Sequence, residues 1–195
     1  SGYQRVAANV IAMDGTNWFS SFTIDKGSKE GIKKGMNVIA GSGLVGIVTD
    51  VGPNFAKVRS IIDDSSNVSS MVLTTKDNFN VGGSLKSMNQ DKVLPFTELR
   101  DEDDKVKVGD PVVTSYVSDQ YQEGILIGYI ASIEKNANNL TKSGTITPVV
   151  DFQHLREVLV ITTLKDTGEK ELSSQKASDT QTETQDNTET QKSQE

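Results

Sequence analysis

His154 is the only histidine in this sequence, so any serine-hydrolase mechanism would have to use it as the general base. A catalytic triad would place it between a nucleophilic serine and an orienting carboxylate, for which Asp151 and Asp166 are candidates. No serine stands in the Gly-x-Ser-x-Gly pattern of a nucleophile elbow. The chain has no cysteine, which excludes thiol nucleophiles, disulfides and thiolate metal sites. These residue types predict a protein with no catalytic site and no cofactor.

Two short motifs resemble ligand-binding sites, but each lacks the context that the chemistry requires. Residues 41–46 match the pattern Gly-x-Gly-x-x-Gly, which binds dinucleotides only where a helix N-terminus follows the loop. Here the alternation of Val45, Ile47 and Thr49 predicts instead a β-turn that enters a bent strand. The acidic run at residues 101–104 lacks the glycine bend and the later glutamate of a calcium loop, so we expect a solvated loop without a metal.

Aromatic residues beside polar loops are the stronger functional signal. Tyr116 and Tyr121 flank the polar residues 117–120, and Trp18 and Phe19 precede a predicted strand. Tyrosine and tryptophan at loop ends are favoured anchors of protein interfaces. For each ring taken by itself, packing inside a barrel or at a barrel rim is the favoured interpretation. The candidate partner-binding residues are Tyr116, Tyr121, Ile125, Leu126, Trp18 and Phe19.

The acidic charge of the chain is concentrated at its C-terminal end. Residues 166–195 contain eight acidic and three basic residues, which leaves 19 acids and 17 bases in the rest, a net charge of −2 rather than −7. Such a near-neutral core has no basic surface for a phosphate backbone, so we expect no nucleic-acid binding. The terminal segment is rich in Thr, Gln, Glu and Ser with almost nothing to bury, and its composition predicts disorder.

Short strand patterns dominate the remainder of the chain. Between residues 56 and 63, apolar side chains alternate with Lys57 and Arg59, which is the period of a half-buried strand. No stretch sustains a helical apolar stripe for three turns, although residues 153–157 could form a single turn. Many short strands at close spacing indicate small barrels or a sandwich. Similar β-rich runs, separated by turn residues, occupy 19–24, 36–40, 44–51, 68–74, 111–116, 125–133, 145–152 and 158–164.

An internal repeat predicts two barrels. Residues 34–48 and 108–130 each contain a turn glycine, a strand, a loop and a second strand with a glycine inside it. These internal glycines, Gly46 and Gly128, mark a bulge, a sharp bend or a close backbone approach, and small barrels need such corners. The prediction is an all-β fold of two small β-barrels in tandem with a disordered C-terminal tail. The predicted ranges are 3–66 for the first barrel, 67–165 for the second, with strands allowed to cross that boundary, and 166–195 for the tail.

Several ordered blocks of the sequence carry a family resemblance. The blocks are residues 17–19 (Asn-Trp-Phe), 25–28, 31–38, 43–48 continuing through 51–52, and 58–63 in the first half, and 108–115, 123–128 and 148–152 with Leu155 and Val158 in the second. Together they resemble the core of the MreC family of bacterial cell-shape proteins, over about Arg5 to Leu164. The chain departs from the family after Thr114 and Ser115, where Tyr116 and a polar stretch replace the usual glycine-rich loop.

The resemblance implies a non-catalytic scaffold of the cell-elongation machinery that coordinates peptidoglycan synthesis for cell shape. The implied partners are a class B penicillin-binding protein and MreD, with RodA and MreB contacted indirectly, and further copies of the chain in a dimer or filament. The family also has an N-terminal transmembrane helix and a coiled coil, which are not among these 195 residues. The resemblance therefore implies single-pass anchoring, with the barrels on the extracytoplasmic side of the membrane.

Two other functions remain open on the residues alone. A hydrolase on a chymotrypsin-like barrel would need His154 to lie beside a serine in the folded chain. A wall-glycan-binding module would need several aromatic rings aligned on one barrel face.

Overall fold

The structure is a computed structural model that describes residues 3–15 and 18–166, so the predicted disorder of the tail falls almost entirely outside the described residues. The described part is mostly β, as predicted. It contains one short α-helix, α1 (Leu85–Asp91), and one 3₁₀ turn at Ser28–Glu30. The strands are β1 (Arg5–Met13), β2 (Ser21–Ile24), β3 (Asn37–Ala40), β4 (Gly43–Val51), β5 (Ala56–Ser60), β6 (Asn67–Val72), β7 (Asn78–Gly82), β8 (Leu94–Leu99), β9 (Pro111–Thr114), β10 (Leu126–Lys135), β11 (Lys142–Pro148) and β12 (Glu157–Ile161).

Six strands close the first barrel. β1 pairs with β2, β2 with β5, β5 with β4, β4 with β3, β3 with β12, and β12 returns to β1, all antiparallel. The alternation of each strand directs one set of side chains inward. Fully buried residues of the interior include Phe22, Ile24, Val38, Val58 and Val160. Closure leaves no continuous open sheet edge, which removes the usual route to aggregation through strand edges.

The second ring of strands also returns to its starting point. β6 pairs with β7, β7 with β8, β8 with β11, β11 with β10, β10 with β9, and β9 with β6. Its interior contains an edge-to-face pair of Phe79 and Phe96, with ring centroids 5.1 Å apart. The two rings meet at a short parallel pairing of Leu126 in β10 with Gly43 in β4.

The chain returns to the first barrel after it has built the second. β12 lies at residues 157–161, within the range expected for the second barrel, yet it pairs with β1 and β3 of the first. The first barrel therefore consists of residues 5–60 together with 157–161, and strands 6 to 11 form an insertion between its fifth and last strands. No helix among the described residues is long and apolar enough to span a membrane.

The two internal glycines of the repeat occupy equivalent places where backbones approach closely. A Cβ atom on Gly46 would lie 2.0 Å from the carbonyl oxygen of Arg59, and one on Gly128 would lie 2.0 Å from that of Thr147. The register shifts beside both glycines, which indicates bulges in β4 and β10. The repeat thus corresponds to two similar barrel corners, as the spacing predicted.

Candidate partner-binding loop

The loop between β9 and β10 presents the most exposed pair of adjacent apolar side chains of the candidate region. Tyr116 is 54% exposed and Val117 is 56% exposed, and together we call them the tip. The loop follows the buried strand end at Thr114 and precedes Leu126, the first residue of β10. Recognition sites often lie on such loops when a rigid scaffold holds both ends.

Serine side chains fix the shape of this loop. The Ser115 hydroxyl donates to the Asn78 side chain and accepts from the Val117 backbone N–H at 3.2 Å. The Ser118 hydroxyl accepts from the backbone N–H groups of Gln120, at 3.2 Å, and Tyr121, at 3.0 Å. A tip that is already ordered loses little conformational entropy when a partner binds, which favours affinity.

Tyr121 does not present its ring to solvent, so the expectation of an exposed aromatic is wrong at this position. The side chain is part of the hydrophobic core and only 3% exposed. Burial raises the pKa of the phenol to about 12, and the nearby Arg59 charge and a hydrogen bond with Ser66 oppose this shift. Tyr121 therefore anchors the loop from beneath, which agrees with the packing interpretation of this residue.

Trp18 is also a buried residue rather than an exposed anchor. Its indole Nε1 donates to the Asn89 side chain at 2.5 Å, and the residue is 5% exposed. Asn89 lies on α1, so the tryptophan connects the first barrel to the helix that follows β7. The adjacent Phe19 is half-buried and packs edge-to-face on Phe22, with ring centroids 6.1 Å apart. The expected exposure of Trp18 is thus wrong, and the bulk of both rings stabilises the fold.

Ile125 and Leu126 take intermediate positions at the base of the loop. Ile125 is half-buried and packs against the core. Leu126 is half-buried and pairs with Val113 on one side and with Gly43 on the other. The six candidate residues therefore do not form one surface, and Tyr116, in the tip, is the one of them whose side chain is largely exposed.

His154 lies in an exposed turn, and its imidazole bonds to the carboxylate of Asp151. Its Nδ1 is 2.8 Å from Oδ2 of Asp151, and the two side chains are 75% and 65% exposed. This hydrogen bond lowers the pKa of Asp151, assisted by the Gln153 backbone N–H. Within residues 3–15 and 18–166, no serine hydroxyl bonds to the imidazole. A solvated pair of this kind lacks the nucleophile and the water-excluding environment of a triad.

We expect active-site serine probes to leave the protein unlabelled, because no described serine hydroxyl bonds to the imidazole that would activate it. A fluorophosphonate probe should be tested at a molar excess, with a chymotrypsin-like protease labelled in parallel as the positive control. Mass spectrometry of the intact protein gives the stoichiometry. Stoichiometric labelling that His154→Ala abolishes would contradict this prediction.

The structure gives the glycine motif at residues 41–46 a turn followed by strand β4, as predicted. A helix N-terminus, which a bound pyrophosphate would need, does not follow this turn. Among the described residues, no group of three or more His, Asp and Glu side chains could hold a metal ion.

The exposed aromatic side chains Phe55, Tyr116 and Tyr129 lie on a turn, on the loop and on β10, with the two tyrosines near opposite ends of β9. They do not form the aligned face that a glycan platform requires.

The acidic run at residues 101–104 is not uniformly solvated, so that expectation is wrong at Asp101. Its side chain is 1% exposed and lies 2.7 Å from Nζ of Lys142. The carboxylate also accepts from the backbone N–H groups of Lys105, at 2.8 Å, and Val106, at 3.1 Å. Burial raises the pKa of Asp101, but these hydrogen bonds outweigh burial and hold it below its ordinary value. Asp101 thus attaches the 101–106 turn to β11.

The fold and the loop define an all-β protein of two six-stranded barrels with a preorganised, apolar loop tip. The sequence profile of the family described as "Rod shape-determining protein MreC, barrel core" matches residues 10–162. The chain belongs to the MreC family of cell shape-determining proteins.

Similar proteins agree with this assignment. The cell shape-determining protein MreC of Listeria monocytogenes is 34% identical over 161 residues, which are 82% of this chain and 54% of that protein. This chain therefore spans about half the length of that relative. A solved structure of MreC from the same organism has a TM-score of 0.72 at 33% identity, and covers 85% of this chain and 79% of that chain.

Two more distant structures share the fold. One is the major periplasmic domain from the cell shape-determining filament MreC, with a TM-score of 0.65 at 21% identity, covering 80% of this chain and 94% of that chain. The other is MreC in a complex with the penicillin-binding protein PBP2 from Helicobacter pylori, with a TM-score of 0.60 at 11% identity. It covers 82% of this chain and 100% of that chain.

Proposed function

We propose that this chain is the barrel part of a non-catalytic scaffold of the cell-elongation machinery, which coordinates peptidoglycan synthesis by binding a class B penicillin-binding protein. The observation that carries the proposal is the ordered loop with its exposed tip, in a chain of the MreC family. A relative with the same fold forms a complex with a penicillin-binding protein. The exposed turn at His154 supports a role that depends on surface rather than on catalysis.

The expected interface is small and apolar with a polar rim. Residues 1–165 are nearly neutral, so long-range electrostatic attraction is not the main source of affinity. Tyrosine supplies a large contact area with few rotatable bonds, which suits it to the centre of an interface. The polar residues that follow the tip, including Asp119 and Gln120, would lie at the rim.

The wider assembly follows from the family. MreD is the second proposed partner, RodA and MreB are contacted indirectly, and copies of the chain associate as a dimer or filament. Filament formation is named for a relative with the same fold, as is the periplasmic location of its barrels. The proposed location is the extracytoplasmic side of the bacterial membrane, with single-pass anchoring through an N-terminal helix outside these residues.

Replacing both tip residues by alanine (Tyr116→Ala with Val117→Ala) should weaken binding to the penicillin-binding protein by about 1–3 kcal/mol, the usual range for interface hot spots. The melting temperature should hardly change, because both side chains are largely exposed. Isothermal titration calorimetry with the soluble part of the class B enzyme measures the affinity, and differential scanning calorimetry measures the stability.

Tyr129→Ala is the matched control for this experiment. Tyr129 is a tyrosine of similar exposure, 43%, but lies on β10 away from the loop. The control should bind normally. If the tip variant binds as tightly as the control, the penicillin-binding protein contacts another surface and the tip proposal fails.

A further inference from the structure

Asn37 contacts the partner-binding loop from the first barrel. It lies on β3 and is 2% exposed, although its side chain is polar. Its Nδ2 donates to the carbonyl oxygen of Gln120 at 2.9 Å, and its Oδ1 accepts from the backbone N–H of Gln122 at 2.8 Å. The two backbone partners determine the orientation of the amide, since one can only accept and the other can only donate.

The side chain of Asn37 reproduces the contacts of a neighbouring strand. Gln120 and Gln122 are two residues apart, and a paired strand would bond to the C=O of the first and the N–H of the second in the same way. No other residue type of this size offers a donor and an acceptor side by side with a neutral charge. Removing the amide would leave two loop backbone groups without their partner, and one of them belongs to a buried residue, Gln122.

The loop residues 120–122 are attached to both barrels. Thr114, at the end of β9 in the second barrel, donates its hydroxyl to the carbonyl oxygen of Gln122 at 2.5 Å. The Gln122 side chain donates to the carbonyl oxygen of Thr163, just beyond β12 of the first barrel, at 3.0 Å. The ring of Tyr121 enters the core between these contacts. Residues 120–122 therefore bridge the two barrels, and Asn37 holds the side that faces the first.

The contacts continue from this bridge to the tip. The hydroxyl of Ser118 accepts from Gln120 and Tyr121, and the Ser118 backbone N–H donates to the Ser115 carbonyl at 3.2 Å. Ser115 in turn holds the Val117 N–H. A shift of residues 120–122 would therefore alter the position of Tyr116 and Val117 without any change in the tip itself.

We propose that Asn37 is a positioning residue for partner recognition, which sets the place of the tip relative to the first barrel. The proposal rests on the proposed function of the tip. Asn37 is buried and cannot touch a partner, so its influence on binding runs through residues 120–122 and the tip. The tip can then fit its partner only while residues 120–122 keep their present contacts to both barrels.

A double-mutant cycle on partner affinity tests the proposal, because coupling between two sites is measured by the failure of their effects to add. Asn37→Ala alone should weaken binding of the penicillin-binding protein on the order of tenfold, which is within the hot-spot range. In the background that already lacks both tip side chains, the same substitution should change the affinity by less than about twofold. Asn80→Ala, at an exposed asparagine of β7, is the matched control and should leave affinity unchanged.

A second variant keeps the test valid if Asn37→Ala does not fold. Asn37→Val retains a strong strand preference, but its apolar side chain offers neither a donor nor an acceptor to the two loop groups. Hydrogen exchange of the Gln122 amide should accelerate in either variant, while amides in the barrel interiors keep their protection.

Each outcome of the cycle is decisive. Loss of affinity that adds fully to the loss from the tip variant would overturn the positioning role. Normal affinity of a folded Asn37 variant would overturn it as well, provided the tip variant binds weakly. If the tip variant itself binds normally, the proposed function of the tip fails first, and the positioning role fails with it.

Discussion

Asp101→Ala should lower the free energy of unfolding by about 3 kcal/mol, since it removes one partner of a buried ion pair. Lys142 is only 12% exposed at its side chain, and after the substitution its remaining carboxylate partner is the exposed Asp104. The backbone N–H groups of Lys105 and Val106 lose their acceptor at the same time. Urea denaturation of the purified protein, followed by circular dichroism, measures the change.

Asp103→Ala provides the control within the same acidic run. Its carboxylate is 74% exposed and lies 3.4 Å from Nζ of Lys105, which is itself 69% exposed. Solvent-exposed pairs of this kind contribute about 0–1 kcal/mol. Equal losses for the two aspartates would show that the buried contact to Lys142 has no special role.

The Asp101 carboxylate should make the free energy of unfolding fall in acid. The pKa of Asp101 is below its ordinary value in the folded chain, so the folded state favours the ionised form. Its contribution is therefore complete above the unfolded pKa of about 3.9 and is lost as the pH falls through the lower, folded pKa. Stability measured between neutral pH and acid should decline less steeply in Asp101→Asn than in the unaltered protein.

The strands that the sequence predicted are those with a clear internal pattern. β5 alternates buried and exposed residues from Ala56 to Ser60, and β4 is almost continuously buried, so both carry a strong local signal. β1 was missed because its only fully buried residue is Ala8, and the rest of the strand shows no strong apolar alternation. In β7, only Phe79 and Val81 face inward between asparagines. The helix α1 has seven residues, too few to establish a helical period.

The pairing of strands that are far apart in the sequence could not be predicted from local patterns either. β12 reads as a strand from its own residues, but its place between β1 and β3 depends on partners more than a hundred positions earlier. The repeat indicated two similar corners at Gly46 and Gly128, yet it did not reveal that the last strand completes the first barrel. Only the closure of the ring, in which β12 pairs with β1 on one side and with β3 on the other, decides this arrangement.

The candidate site likewise contains residues whose exposure the local sequence predicted and residues whose burial depends on distant partners. Polar neighbours suggested that Tyr121 is exposed. The groups around its buried position, the Asn37 amide that bonds to Gln122 and the nearby Arg59 charge, are far away in the sequence. Asp101 was read as solvated because its partner, Lys142, lies 41 residues further along the chain. The exposure of Tyr116 followed from local polarity and agrees with the structure. Sequence reasoning therefore located the loop but could not separate its exposed tip from its buried anchors.

Gly46→Ala and Gly128→Ala are each expected to lower the free energy of unfolding by about 2–3 kcal/mol, within the range for overpacked interiors. The added Cβ would meet a backbone carbonyl oxygen of the neighbouring strand in both cases, at 2.0 Å. A backbone atom cannot rotate away as a flexible side chain could, so the two strands would have to separate and weaken the ladder at the barrel corner. Urea denaturation gives the midpoint and the slope for each variant.

Gly82→Ala separates this steric effect from the general cost of changing a strand glycine. Gly82 ends β7, has no positive φ, and a Cβ there would find its nearest atom, the Pro95 carbonyl oxygen, at 3.9 Å. Alanine should therefore be tolerated or slightly stabilising, since it reduces the freedom of the unfolded chain. Comparable destabilisation at all three positions would show that the corners do not depend on close backbone approach. Of these three positions, a loss confined to Gly46 and Gly128 is expected, because Gly82 has room for a side chain and the other two do not.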